Sequence, residues 1–378
     1  MKRFLFEYLP AWLLLLVFGF IVLHAPLTVW LGTIFPDIAL AMKAWKEVLI
    51  GIAAVLVALQ LHKRGALRGF LSRPVVWLAL VYSVVHIMLL GVYPQPLQSM
   101  AAGLLIDLRY IIFFVTMYGF LTLYPIYRRS FVVIGALGAC IVLGFAVLQV
   151  FLPKYALETL GYGDTTIAPY MTVDKNPDFI RHNSTLRGPN PLGAYAVMAL
   201  AGVLAYAATT RKRAAGWRFW VPVMLFAASG AVALWISYSR SAWLGFAVAA
   251  VVLGGINYGK KVKQHGWKIV AGFMVLLAIG VYAFKDTVFF QNVVLHNNPT
   301  TGAAVDSNTQ HADSLAEGLA RMALQPLGAG IGSTGSASLL GGENLIIENQ
   351  YLMIAHEAGW LGIGLFLLLF GALLHQLW

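Results

Sequence analysis

Three arginines in this 378-residue chain have the chemistry to grip a diphosphate. Arg181 and Arg187 bracket the stretch Arg181-His182-Asn183-Ser184-Thr185-Leu186-Arg187, which runs on through Gly188-Pro189-Asn190-Pro191 to Tyr195. Arg240 stands in Tyr238-Ser239-Arg240-Ser241-Ala242-Trp243-Leu244. A guanidinium fork donates two parallel hydrogen bonds to phosphate oxygens and keeps its charge in any surroundings. A helix starting at Pro191 would add the positive end of its dipole. Arg240 sits in a very short turn between apolar runs, where a cation is costly without an anionic partner or ligand. Leu244, one helical turn on, is placed to anchor that helix while the guanidinium stays at its mouth. The residues alone leave two plainer readings open: arginines that snorkel to lipid headgroups, and an ion pair between Arg240 and a loop carboxylate.

A proton acceptor has two candidates. Glu348, in Ile347-Glu348-Asn349-Gln350-Tyr351, stands where a polar loop becomes an apolar run, suited to take a proton from a hydroxyl if its pKa is tuned. A helix-capping carboxylate is the alternative, since acid near a helix start is stabilising in itself. His311 precedes a segment, 310–325, whose Leu315, Leu319, Met322 and Leu324 recur with helical spacing and which also carries Arg321. That helix is expected to end at Pro326-Leu327-Gly328-Ala329-Gly330-Ile331-Gly332. His356 and Glu357 read as a buried polar pair with a packing role, and Asp107 and Arg109 as groups that each pair with another helix. A P-loop, a Rossmann glycine pattern and a metal-spaced His/Asp cluster are all missing from the sequence. Neither metal nor cofactor is expected.

The elements that must position these residues are membrane spans. The chain is 60% hydrophobic and 11% charged, with a mean hydropathy of +0.78, far from a soluble composition. Apolar runs approach or exceed the roughly 17 to 25 residues that cross a bilayer as helix, without the alternation of a barrel. The fold class expected is all-α, a polytopic bundle of about ten spans. They fall at 9–33, 47–62, 75–93, 99–124, 131–152, 189–209, 219–237, 241–258, 268–285 and 350–374. The single cysteine, Cys140, lies in an apolar run and rules out an internal disulfide. Residues 1–378 form a single integral membrane domain on this reading, with its amino terminus a retained first span.

Charge then orients the bundle. Lys2 and Arg3; Lys63, Arg64, Arg68 and Arg73; Arg128 and Arg129; Arg211, Lys212, Arg213 and Arg218; and Lys260, Lys261, Lys263 and Lys268 all fall on alternate connections, which lack acid. Those connections are cytoplasmic by the positive-inside rule. The net charge of +11 follows from this topology, so nucleic acid is not an expected partner. Two long polar segments, 153–188 and 286–349, then face the opposite side with most of the carboxylates. Loops of that length usually carry function. The arginines stand on the side where the rule makes them scarce.

Taken together, Arg181 to Tyr195, Ser239-Arg240-x-x-x-Leu244, and Glu348-Asn349-x-Tyr351-Leu352 before Gly359-x-x-Gly362 resemble the O-antigen ligase and polymerase superfamily, over roughly residues 100 to 370. The resemblance implies a metal-independent glycosyltransferase of the GT-C type in the cytoplasmic (inner) membrane, acting at its outer face. Its donor would be an undecaprenyl-diphosphate-linked glycan and its acceptor a glycan or lipid-glycan hydroxyl. It further implies that Arg181 and Arg240 hold the donor diphosphate, with Arg187 a third contact and Arg321 a fourth. Glu348, or His311 if its loop folds over, would deprotonate the acceptor, which attacks the anomeric carbon with inversion. Ligases of this family usually carry histidine where this chain has Glu348, which puts a lipid A core acceptor in doubt. The competing class is a transporter or flippase of an anionic lipid-linked glycan. Transporters commonly place polar residues at the midplane of repeated halves, whereas here they crowd one side.

Overall fold

A computed structural model describes residues 4–210, 216–296, 307–342, 345–347 and 349–377. Its elements in chain order are α1 (Leu9–Phe20), α2 (His24–Ile34), α3 (Ala39–Lys63), α4 (Leu67–Leu71), α5 (Pro74–Leu89), α6 (Leu97–Leu123) and α7 (Arg128–Gln149). There follow the strands β1 (Met171–Val173) and β2 (Asn176–Arg181), then α8 (Pro189–Thr210), α9 (Trp217–Ile236) and α10 (Arg240–Phe284). The chain closes with α11 (Ser307–Leu324), the short α12 (Gly335–Ser338) and α13 (Gln350–Leu377). Among the described residues, eight helices are long and apolar enough to cross a membrane, and α5 is a shorter apolar one. The protein is thus the all-α polytopic membrane protein expected, with one two-stranded hairpin added.

Two elements depart from the sequence reading. The span expected at 9–33 is broken by a 3₁₀ turn at Ile21–Leu23 between α1 and α2. The larger departure is α10, which is helical through Lys260–Lys268, where a connection between two spans was expected. Helix formation there is unsurprising, because lysine is a good helix former. Yet α10 is not straight. Forty-five residues of straight helix would separate the ends by roughly 66 Å. Arg240 Nη1 nevertheless lies 3.1 Å from the Val294 carbonyl, and the chain from Phe284 to Val294 reaches at most roughly 36 Å. The helix therefore bends along its length.

The chain divides into two compact units, one of 1–18, 44–132 and 308–378, the other of 19–43 and 133–307. In the first, Ala11, Leu14, Ala53, Val57, Leu61, Phe70, Val76, Phe120 and Phe131 form a buried core. Asp107 and Arg109 each meet a side chain of another helix, as expected. Arg109 reaches Glu47 of α3 at 3.7 Å, and the Asp107 carboxyl lies beside that of Glu357 on α13. The helix expected at 310–325 is present as α11, and the glycine-rich turn after it seats on a kink in α13. At Gly359 the backbone turns to φ 65°, which frees two carbonyls from the helix ladder. Ala329 N–H donates to His356 O at 2.6 Å and Gly330 N–H to Glu357 O at 3.2 Å, while Trp360 N–H returns to Pro326 O at 2.9 Å. The Glu357 carboxyl also accepts the Thr334 N–H at 3.1 Å.

The second unit has its own core of Val142, Leu143, Leu192, Ala196, Leu200, Ala233 and Ala242, where α7, α8, α9 and the start of α10 meet. Gly193 decides how closely they meet. A Cβ there would stand 2.8 Å from Ala242 Cβ and 2.9 Å from Ser237 Oγ. Only a residue without a side chain lets α8 lie against the turn that joins α9 to α10.

Candidate functional site

The second unit holds the two arginines that the sequence singled out first, and the elements around them account for their position. Residues 171–181 form a hairpin whose two-residue turn, Asp174-Lys175, has φ of 45° and 60°, the left-handed pair of a type I′ turn. The ladder slips between Thr172 and Val173, opposite Pro177, which has no N–H to pair and suits an irregular position. Asn176 is fully buried and donates to Asn292 at 3.1 Å. That bond fastens the hairpin to the π-helical turn Phe290–Val294 that follows α10.

Arg181 ends β2. Its neighbour His182 donates its backbone N–H to Ile236 O at 3.1 Å, which fixes the strand end to the end of α9. Beyond it the chain is pinned a second time: the Ser184 N–H donates to Gln149 Oε1 at 2.8 Å and the Ser184 hydroxyl to Val142 O at 2.6 Å. Gln149 in turn donates to Asn183 at 3.1 Å, and all three side chains are buried. Between these fixed points Arg181 Nε donates to Ser237 O at 2.9 Å, and Nη2 to Asn190 Oδ1 at 2.6 Å. Both acceptors are neutral. Helix α8 begins at Pro189, two residues before the expected Pro191, and this puts Asn190 in its first turn, within reach of the guanidinium.

Arg240 opens α10, and its Nη1 donates to the Val294 carbonyl. The two arginines are close enough to act on each other: burial pulls the Arg181 pKa down, Asp174 opposes this, and the Arg240 charge adds to the lowering. Arginine stays protonated regardless, so the unit holds two partly buried cations side by side. Leu244 does not anchor this corner as expected. It is 68% exposed on the outside of α10, and Ala242 packs inward instead. Aromatic rings line the same corner, with Trp235 stacked between Trp243 and Phe289 at centroid distances of 5.6 and 5.2 Å.

The remaining site residues expected from sequence are placed differently. Arg187 is exposed on the connection into α8. Arg321 is in the first unit, on α11, in an ion pair with Glu317 one turn back at 3.1 Å. His311 lies exposed on the same helix. Glu348 lies outside the described residues. Two further residues stand beside the arginines, Asp174 and His296, and nothing in their sequence context marks them. The imidazole Nδ1 of His296 lies 2.9 Å from one Asp174 oxygen and 3.0 Å from the other. No spacing could have found this pair, for its members are 122 positions apart. Among the described residues there is no cluster of His, Cys, Asp or Glu that could hold a metal ion.

Fold and site together define a polytopic helical membrane protein with a paired-cation site built where a hairpin, two helix starts and a π-turn converge. Residues 225–367 match the family described as O-antigen ligase. The chain is therefore similar to the O-antigen ligase and polymerase superfamily, as its three motifs implied, and the match supports a glycan-transfer or ligase role with lipid-linked glycan substrates. The matched stretch takes in Arg240 and α11 but begins after Arg181 and Arg187. Neither the curated proteins nor the solved structures contain a match to this chain.

Proposed function

We propose that the protein transfers or polymerises a glycan from an undecaprenyl-diphosphate-linked donor onto an acceptor hydroxyl at the extracytoplasmic face of the cytoplasmic membrane. Its chemistry is metal-independent and inverts the anomeric centre. The observation that carries this reading is the convergence of Arg181 and Arg240, with Arg181 bonded to neutral acceptors. Two forks held in place before substrate arrives can stabilise negative charge as it grows on a leaving diphosphate, an effect worth several kcal/mol in a site screened from water. Arg187, exposed at the mouth of α8, is a third contact that can swing onto the donor, and Arg321 a fourth. Segment 286–349 contributes through its first residues, since Val294 touches Arg240.

Proton removal from the acceptor falls to Glu348 or His311 if the superfamily resemblance alone is followed. Replacing Arg240 with alanine should abolish glycan transfer while the protein still accumulates in the membrane and elutes as one species in detergent. Normal transfer by that variant would sink the assignment. Assaying a purified polyprenyl-diphosphate-linked donor in detergent also separates an enzyme from a transporter or flippase, because detergent removes the compartments that transport requires and leaves catalysis intact.

A further inference from the structure

The pair formed by His296 and Asp174 is built for more than packing. His296 follows the π-turn with a left-handed backbone, φ 56°, and Asp174 occupies the first position of the hairpin turn. Their side chains are 10% and 9% exposed. A carboxylate only accepts hydrogen bonds, so the proton of a neutral imidazole sits on Nδ1 and points at Asp174, which leaves the lone pair on Nε2. That Nε2 is buried and has no hydrogen-bond partner among the described residues. An unpaired buried acceptor is unfavourable, and a hydroxyl donating to it would relieve the cost. The charged groups that face the ring are Asp174 from the hairpin turn, Arg181 from β2 and Arg240 from the start of α10.

Resting on the glycan-transfer reading, we propose that His296 is the general base of this site, with Asp174 as the residue that positions it. The acceptor hydroxyl gives its proton to Nε2 while its oxygen forms the new bond to the anomeric carbon of the donor. The bond from that carbon to the diphosphate oxygen breaks, and its electron pair leaves on the diphosphate, beside Arg181 and Arg240. Asp174 balances the imidazolium that results, and the proton then passes to solvent or to the released diphosphate. Burial, followed by the Arg240 charge, pulls the His296 pKa below its usual value, while Asp174 opposes both. The ring is thus neutral, and able to accept, at neutral pH. This assignment places a histidine base beside the arginines by a route through the fold, although the chain carries Glu348 where the related ligases carry theirs.

The test is the pH profile of transfer from a purified polyprenyl-diphosphate-linked donor, measured for wild type, His296→Gln, Asp174→Asn, Glu348→Gln and Arg240→Ala in detergent. Wild type should lose rate as pH falls through the imidazole pKa. His296→Gln should lower the plateau about 100-fold or more and flatten that acid limb, with the KM for donor little changed. Asp174→Asn should move the limb to lower pH and lower the plateau, which a role in folding alone would not do. His296→Gly should regain rate when free imidazole is added, and this decides the matter should His296→Gln fold poorly. A folded His296→Gln variant within about threefold of wild type overturns the assignment, as does an acid limb that survives in it and vanishes in Glu348→Gln. Arg240→Ala separates this from the underlying reading. Inactive Arg240→Ala with active His296→Gln removes only the base, whereas active Arg240→Ala removes the glycan-transfer site itself.

Discussion

At the scale of residues, the arginines are held by polar groups that have no chemistry of their own. Gln149 is the clearest of these, since one amide serves both Asn183 and the Ser184 N–H inside the second unit. Gln149→Ala would leave buried donors and acceptors unpaired at a cost of about 1–3 kcal/mol. It should lower the melting temperature in detergent and weaken transfer, because the segment after Arg181 loses its fixed point. Thermal unfolding monitored by intrinsic tryptophan fluorescence would show it. Two histidines add a pH dependence whose sign can be worked out. Burial lowers the pKa of His182 and, with Arg240, that of His296, so both are neutral in the fold and reluctant to charge. In the unfolded chain they titrate near 6.5. Their contribution to stability is therefore complete above about pH 6.5 and is lost as pH falls toward the depressed folded values. Hydrogen exchange of the 171–182 amides, corrected for intrinsic rates, should show protection falling between about pH 7 and pH 5. Arg181 and Arg240 could be read from sequence because a cation against the charge bias stands out in one dimension. Asp174 and His296 could not, because an ordinary-looking loop acid and loop base acquire meaning only when a hairpin and the turn after a bent helix bring them together.

At the scale of elements, helix positions were legible and helix interruptions were not. Apolar runs marked where α6, α7, α8 and α9 would lie to within a few residues, because burial in lipid leaves no other solution for the backbone. The run of lysines at Lys260–Lys268 signalled a break, yet lysine continues a helix as readily as it solvates a loop, and the structure kept the helix and bent it. The glycine turn after α11 shows the opposite case, in which sequence saw the stop but not its purpose. Gly332 has φ 84°, and a Cβ there would fall 2.2 Å from the Ser99 carbonyl. Gly335 has φ 67° but open space around it. Gly335→Ala should therefore cost about 1 kcal/mol from backbone strain alone, and Gly332→Ala clearly more, because α6 must also give way. Comparing the two melting temperatures isolates the contact. Should the variants melt alike, the turn is not seated on α6 as described.

At the scale of the whole molecule, composition alone already required a membrane, and the eight long apolar helices agree with it. Orientation is a separate matter, set by where the lysines and arginines stand. The placement of Arg128 and Arg129 on one side and of the 153–188 segment on the other can be tested directly. Cys140, the chain's single cysteine, is exposed on α7 and can be replaced by serine at little cost. In that background Asp164→Cys should react with a membrane-impermeant maleimide added to whole cells, and Arg129→Cys should react only after permeabilisation. The reverse pattern would put Arg181 and Arg240 in the cytoplasm and end the extracytoplasmic proposal.

The turn at Asp174-Lys175 places the aim of a carboxylate in the hands of a residue that touches nothing in the site. Asp174 meets His296 because both turn residues take left-handed dihedrals, and lysine has no intrinsic preference for that region. Glycine at 175 would ease the turn and leave the carboxylate where it is. Proline would force φ to about −65° and carry the carboxylate off its line. Lys175→Pro should then reproduce the shifted pH profile of Asp174→Asn with the dyad intact in sequence, while Lys175→Gly behaves as wild type. The acidity of the site would thus be tunable from a solvent-side position by backbone handedness alone.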